Sequence, residues 1–126
     1  MPAEYREFFE LSLSERHERF RTFPVEKQLD VYFYAIGREP PDFGFADDIA
    51  LRGKEVVPFL FERLKSEKDE YNQAALIRVF ESLSARGDLR GRQDIVERIR
   101  AIVSNMKDFK GEAKATLEEI ERNTHE

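Results

Sequence analysis

Cysteine and tryptophan are both missing from these 126 residues. Without a thiol there is no disulfide framework, no thiolate zinc or iron–sulfur site and no cysteine nucleophile. Glycine (6) and proline (5) are sparse, and no segment is low in complexity, which excludes a collagen-like or disordered chain. The longest uninterrupted apolar run, Val56 to Phe61, falls far short of the ~20 residues that a membrane-spanning helix needs. The opening residues, Met1-Pro2-Ala3-Glu4-Tyr5-Arg6-Glu7, carry acids where a secretory leader is basic, and no apolar core of a leader follows. The reading is therefore a chain without a leader or membrane span, with the cytoplasm as its default location. A basic excess is lacking too: 21 Lys and Arg stand against 26 Asp and Glu, for a net charge of −5. That balance argues against a surface built for nucleic acid or an anionic membrane.

Strand signals are as scarce as cysteine, since no alternating β-branched run is bounded by turn residues, whereas 3.6-residue periodicity recurs throughout. The fold class is all-α, in one domain, because the length fits a single unit of roughly 100–200 residues. Ser12 with Glu15 has capping-box spacing and predicts a helix from near Leu13, after an aromatic lead-in of Tyr5, Phe8 and Phe9. Pro24 opens a second helix to about Ile36, ended by Gly37. Glu39-Pro40-Pro41-Asp42-Phe43-Gly44 reads as a loop, because neither proline continues a helix. It divides an irregular helical segment, 1–43, from helix pairs over 44–126. A short helix from about Phe45 to Arg52 and a second from about Lys54 to Lys65 form a hairpin, with Pro58 one turn into the latter. Asp69 is placed to cap the next helix, with core stripe Leu76, Val79, Phe80 and Leu83. A helix from about Arg92 to Lys107 follows, and Asp108 is placed to cap the last. The total is about six or seven helices.

Leu51-Arg52-Gly53-Lys54-Glu55 recurs as Leu89-Arg90-Gly91-Arg92-Gln93, an offset of 38. The register carries Val57 onto Ile95, Phe61 onto Ile99 and Leu64 onto Ile102, all expected in the core. Helix pairs recurring near 40 residues are the mark of a stacked α-solenoid. The stretch from Phe45 to Arg122 resembles HEAT-like helical repeat proteins, over about two repeats. The resemblance rests on a short first helix, an Arg-Gly turn and then Glu55-Val56-Val57-Pro58-Phe59-Leu60-Phe61-Glu62-Arg63-Leu64. What it implies is a right-handed α-α superhelix and a tendency to bind proteins, with no particular activity.

Catalytic and metal-binding constellations are hard to find in the chain. His17 and His125, its two histidines, read as surface residues without a partner at ligand spacing. Asp42, Asp47 and Asp48 cluster beside the proline loop and read as acids favoured by a helix N-terminus. Every glycine stands singly at a helix stop or start, so there is no phosphate-cradling loop, and no serine has the context of a nucleophile. The expectation is a non-enzyme with no cofactor, no metal and no catalytic residue. Arg86, Arg90, Arg92, Arg98 and Arg100 form the one basic stretch, but Asp88, Asp94 and Glu97 interleave them, so ion pairs explain them better than nucleic acid.

Two apolar sets lie off the core stripes. Val31 and Tyr34 fall opposite Leu29 and are expected to be covered by neighbouring segments. Phe59 shares a helix face with Glu55 and Glu62, and the 38-residue register adds Glu97 and Arg100. These five residues, Glu55, Phe59, Glu62, Glu97 and Arg100, make the candidate partner-binding face of a protein-interaction module, an adaptor or immunity-type binder taken as a monomer. The alternative is a nucleic-acid-associated repeat protein using the Arg86 to Arg100 stretch. Cover of Phe59 by the N-terminal segment would remove the residue from the face.

Overall fold

Side chains that cap or break helices set most of the element boundaries. The computed structural model describes residues 2–125, and among them are eight α-helices and no strand. In order they are α1 (Ala3–Glu10), α2 (Leu13–Phe20), α3 (Val25–Ile36), α4 (Phe45–Ala50), α5 (Val57–Ser66), α6 (Glu70–Ala85), α7 (Gln93–Ser104) and α8 (Lys110–Thr124). The all-α class stands, and the count exceeds the six or seven expected because the aromatic lead-in is itself helical. Tyr5, Phe8 and Phe9 have the spacing of one helix face and are buried on α1, with Pro2 at its N-cap and Glu4 in its first turn.

Ser12 caps α2 as its spacing predicts, accepting from the Glu15 amide while its hydroxyl donates to the Glu15 carboxylate. Asp69 caps α6 through the amides of Tyr71 and Asn72. The helix at Pro58 starts later than the periodicity suggests: a 3-10 turn, Gly53–Val56, precedes it, and α5 proper begins at Val57. Proline then falls in the first turn, where its missing donor costs no hydrogen bond.

The cap expected from Asp108 is a correction. Phe109 occupies the N-cap of α8 and gives no side-chain bond. The carboxylate of Glu70, at the start of α6, instead accepts from the amides of Lys107, Asp108 and Phe109 at 2.9 to 3.2 Å. A longer side chain from a neighbouring helix thus fills the anion site at the helix start. These three amides, with Phe109 foremost, hold the Glu70 carboxyl below its usual range.

The 38-residue repeat is visible in the backbone. Gly53 and Gly91, equivalent in the register, both have left-handed conformations, φ 71° and 76°. Val57 and Ile95, Phe61 and Ile99 are buried pairwise, while Leu64 is buried and Ile102 half-buried. The leucines ahead of the glycines differ, since Leu89 is buried and Leu51 exposed.

α6 occupies the centre, packed against α4 and α8 and also touching α3 and α5, and α7 packs on α8. Leu76, Ile77, Val79, Phe80 and Leu83 of α6 are all fully buried. Two tyrosines tie α6 to α3 reciprocally: Tyr32 of α3 donates to the Ala75 carbonyl at 2.8 Å, and Tyr71 of α6 donates to the Ile36 carbonyl at 2.7 Å. Burial pushes the proton affinity of both phenols up. Among the described residues no helix is long and apolar enough to cross a membrane.

Two glycines test this local physics in opposite directions. A Cβ at Gly53 meets nothing within 4 Å, so Gly53→Ala faces only the left-handed backbone and loses about 1–2 kcal/mol. Gly111, in the first turn of α8 with equally open space, gains up to about 1 kcal/mol on Gly111→Ala. Chemical denaturation of both variants checks the signs. Because its carboxyl is lowered, Glu70 contributes stability that is full above the ordinary carboxylate range and is lost as pH falls through its folded-state pKa. Glu70→Gln therefore lowers the melting temperature at pH ~7, and the gap from the parent closes on acidification below pH ~4.

Candidate functional site

The partner-binding face read from the sequence is accessible at all five positions. Glu55, Phe59 and Glu62 are exposed on the 3-10 turn and α5, and Glu97 and Arg100 are exposed on α7. Phe59 keeps 42% of its surface in solvent, so no neighbouring segment covers it completely. Part of the N-terminal segment packs on α4, with Phe8 and Phe20 lying against Phe45 at ring distances of 5.8 and 4.3 Å, while α3 reaches α5 one turn beyond Phe59, where Arg63 pairs with Glu26 at 2.8 Å and Asp30 at 3.0 Å. Val31 is fully covered, as expected, whereas Tyr34 remains 36% exposed, its ring 5.2 Å from that of Tyr5. Cover for Tyr34 is thus partial, because α1 reaches one side of the ring.

The two halves of the face differ in electrostatics. Arg100 is held by Glu97 of its own helix and by Glu121 of α8 at 2.9 Å. Arg98 of α7 reaches α5, its guanidinium 3.7 Å from the centroid of the Phe61 ring. Other arginines of the basic stretch are also engaged, Arg86 with Asp88 at 3.3 Å and Arg92 with Asp94 at 3.0 Å.

A second surface has no counterpart in the sequence reading. The solvent-facing strip of α6 lies between α4 and α8 and forms a shallow groove. One end is a cleft of about 500 Å³ where Asp47, Leu51, Glu81, Ser82, Ala85 and Glu119 meet. The other is a smaller cavity of about 140 Å³ walled by Phe43, Tyr71, Phe109 and Arg78. Small residues of α6, Ala74, Ser82 and Ala85, leave the floor open. The α6 stripe could have revealed it: beside the core positions, 74, 78, 82 and 85 fall on one helical line of small or polar residues.

His17 is a correction. Its ring stacks on Phe45 at 4.3 Å, its Nδ1 pairs with the Asp48 carboxylate, and its Nε2 lies 3.7 Å from Asp42. Asp48 is 5% exposed and also accepts from Arg21 Nε at 2.8 Å. Asp47 and Asp48 both lie in the first turn of α4, as expected, but Asp48 is in addition a buried tie between α2 and α4, and Asp47, one residue earlier, turns the other way to accept from Ser82 at 2.7 Å. The partners lie 25 to 31 positions from His17 in the chain, beyond any local spacing rule. Among the described residues no group of three or more acids and histidines is arranged to hold a metal ion. Its two ring nitrogens face separate carboxylates, and the arrangement joins helices.

No family model, no curated protein and no solved structure matches the chain.

Two phenylalanines two residues apart on α5 separate surface from core. Phe61 is 6% exposed and packs on Phe80 at 4.8 Å, so Phe61→Ala loses about 3–5 kcal/mol. Phe59→Ala stays within about 0.5 kcal/mol of the parent. Urea titrations of the two variants measure the contrast, and a loss at Phe59 matching that at Phe61 would make it a core residue.

Proposed function

We propose that the chain is a non-enzymatic protein-interaction module, a small adaptor or immunity-type binder, with a HEAT-like arrangement of its helix pairs. The observation that carries the reading is Phe59: a large aromatic side chain that keeps 42% of its surface in solvent between Glu55 and Glu62, while the N-terminal segment buries Phe8, Phe9 and Phe20. An aromatic ring of this kind costs the free protein little and becomes an anchor when a partner desolvates it. The like conformations of Gly53 and Gly91 and the row of α4, α6 and α8 support stacked pairs, whose neighbours present extended surfaces.

Within the proposed face, α5 carries the anchor. Glu97 and Arg100 satisfy one another, and Glu121 shares Arg100, so this pair forms a polar rim of small energetic weight. The second reading, nucleic-acid association through Arg86 to Arg100, is disfavoured by the same pairing. Arg86, Arg92 and Arg100 each have an acid, and Arg98 lies on the Phe61 ring. Few charges are then left to release counterions from a phosphate backbone.

Placing a photo-crosslinking benzoylphenylalanine at position 59 tests the reading in an extract of the source cell. A discrete crosslinked protein, absent when the same group replaces exposed Leu13, is the expected result. Equal labelling at both positions refutes it. A mobility shift of DNA or RNA at micromolar protein and ~150 mM salt, lost on Arg90→Ala with Arg92→Ala, would instead establish the second reading.

A further inference from the structure

The groove along α6 is a different surface from the Phe59 face, and its chemistry is specific. Its two ends differ in kind. At the Phe43 end, Tyr71 lies 6.1 Å from Phe43 and 5.5 Å from Phe109, making an aromatic wall around a cavity of about 140 Å³, room for one apolar side chain. The Arg78 guanidinium stacks on Phe43, 4.3 Å from the ring centroid, and Glu112 stands at the rim.

At the other end the wall is acidic. Asp47 of α4, Glu81 of α6 and Glu119 of α8 converge on one cleft from three helices. The cations within reach are already committed: Arg86, which also lines the cleft, pairs with Asp88, and Arg122 pairs with Glu119. Asp47 accepts from the Ser82 hydroxyl. Glu81 has no hydrogen bond or ion pair to its carboxylate among the described residues. Burial, and then the neighbouring charges of Glu119 and Asp47, raise its affinity for a proton against the opposing pull of Arg78. A positive group from outside meets the same demand. Exposed Leu51, at 51%, and Ala85 edge the cleft, so the stem of a long cationic side chain has apolar surface to lie on.

We infer that this groove seats a polypeptide segment of a partner, carrying an apolar side chain for the Phe43–Tyr71–Phe109 cavity and a lysine or arginine for the Asp47–Glu81–Glu119 cleft. The spacing follows from the helix between them. Ala74 and Ser82, on the floor at either end, are eight residues apart, or about 12 Å at 1.5 Å per residue. The two anchors of the partner are therefore separated by about four residues in an extended segment or about eight in a helix. Charge complementarity selects the occupant, since Arg86 and Arg122 are taken by Asp88 and Glu119, which leaves the carboxylates of Asp47, Glu81 and Glu112 facing the single guanidinium of Arg78. This inference rests on the protein-binding reading but uses another face, so the two can fail separately.

A phage library of random 16-residue peptides, panned against the parent, against Glu81→Gln with Asp47→Asn, and against Phe59→Ala, tests it. Asparagine at 47 can still accept from Ser82, and relieving the burial of charge at Glu81 offsets the helix-dipole interaction lost at Asp47, so the double variant melts near the parent's temperature. The expected outcome is a set of peptides pairing an apolar residue with Lys or Arg at one of the two spacings. Their capture falls at least tenfold on the acid variant and is unchanged on Phe59→Ala. Peptides without basic enrichment, equal capture by the acid variant, or no selection above background would each overturn the proposal. Peptides that depend on Phe59 instead would overturn it while leaving the interaction module standing, and failure of both the panning and the position 59 crosslink would remove both.

Discussion

The constraint on which the rest of the structure depends is the burial of α6. Leu76, Ile77, Val79, Phe80 and Leu83 fill an arc of about 160° of the helix and are all removed from solvent. A helix with so broad an apolar face is stable in water only when several other elements pack against it. That demand recruits α4 on one flank, α8 on the other, and α3 and α5 beneath. It also explains the groove: what remains of α6 after its neighbours have packed is a narrow line of small and polar side chains, lower than the helices beside it.

Electrostatics follow the same geometry rather than the overall charge. Arg52, in the repeated Leu-Arg-Gly, donates to the buried Gln28 side chain at 2.7 Å and to the Phe23 carbonyl at 2.6 Å, binding the first repeat to the N-terminal segment. Its register equivalent, Arg90, is exposed, and beside it the last turn of α8 takes the neighbouring position, with the Gly91 amide donating to the Thr124 carbonyl at 3.0 Å. The two copies of the motif thus share a backbone and differ in what they hold. Acids show the same divergence: Asp48 is a structural tie while Asp47 faces the groove.

Much of this was legible in the chain because it is local. Periodicity placed α3 to α8, Ser12 and Asp69 cap by their own spacing, and the offset of 38 anticipated the matched glycines. What was hidden depends on distance in sequence. His17 looks solvated until α4 brings Asp48 beside it, and Asp108 looks like a cap until Glu70 takes its place from 38 residues away. α1 has no signal of its own, since its eight residues are too short for periodicity alone to separate a helix from a lead-in. The exposure of Phe59 could be posed but not decided, since cover is a property of other segments. The groove leaves only a faint trace for the converse reason: its line of 74, 78, 82 and 85 is present in the chain, but its residues are individually unremarkable and important only side by side.

The crossed tyrosine bonds between α3 and α6 reach further than their number suggests. Each phenol ends on a main-chain carbonyl, so the link is anchored to backbone at its receiving end and cannot be relaxed by a rotamer change there. Pulling α3 away leaves the Tyr32 hydroxyl and the Tyr71 hydroxyl without partners in the same movement, and one of them is fully buried. The N-terminal segment and the helix pairs are therefore coupled in opening as well as in packing. Amide protons in the middle of α3 and α6 belong to one cooperative exchange unit, protected by the free energy of the whole assembly rather than by that of either helix.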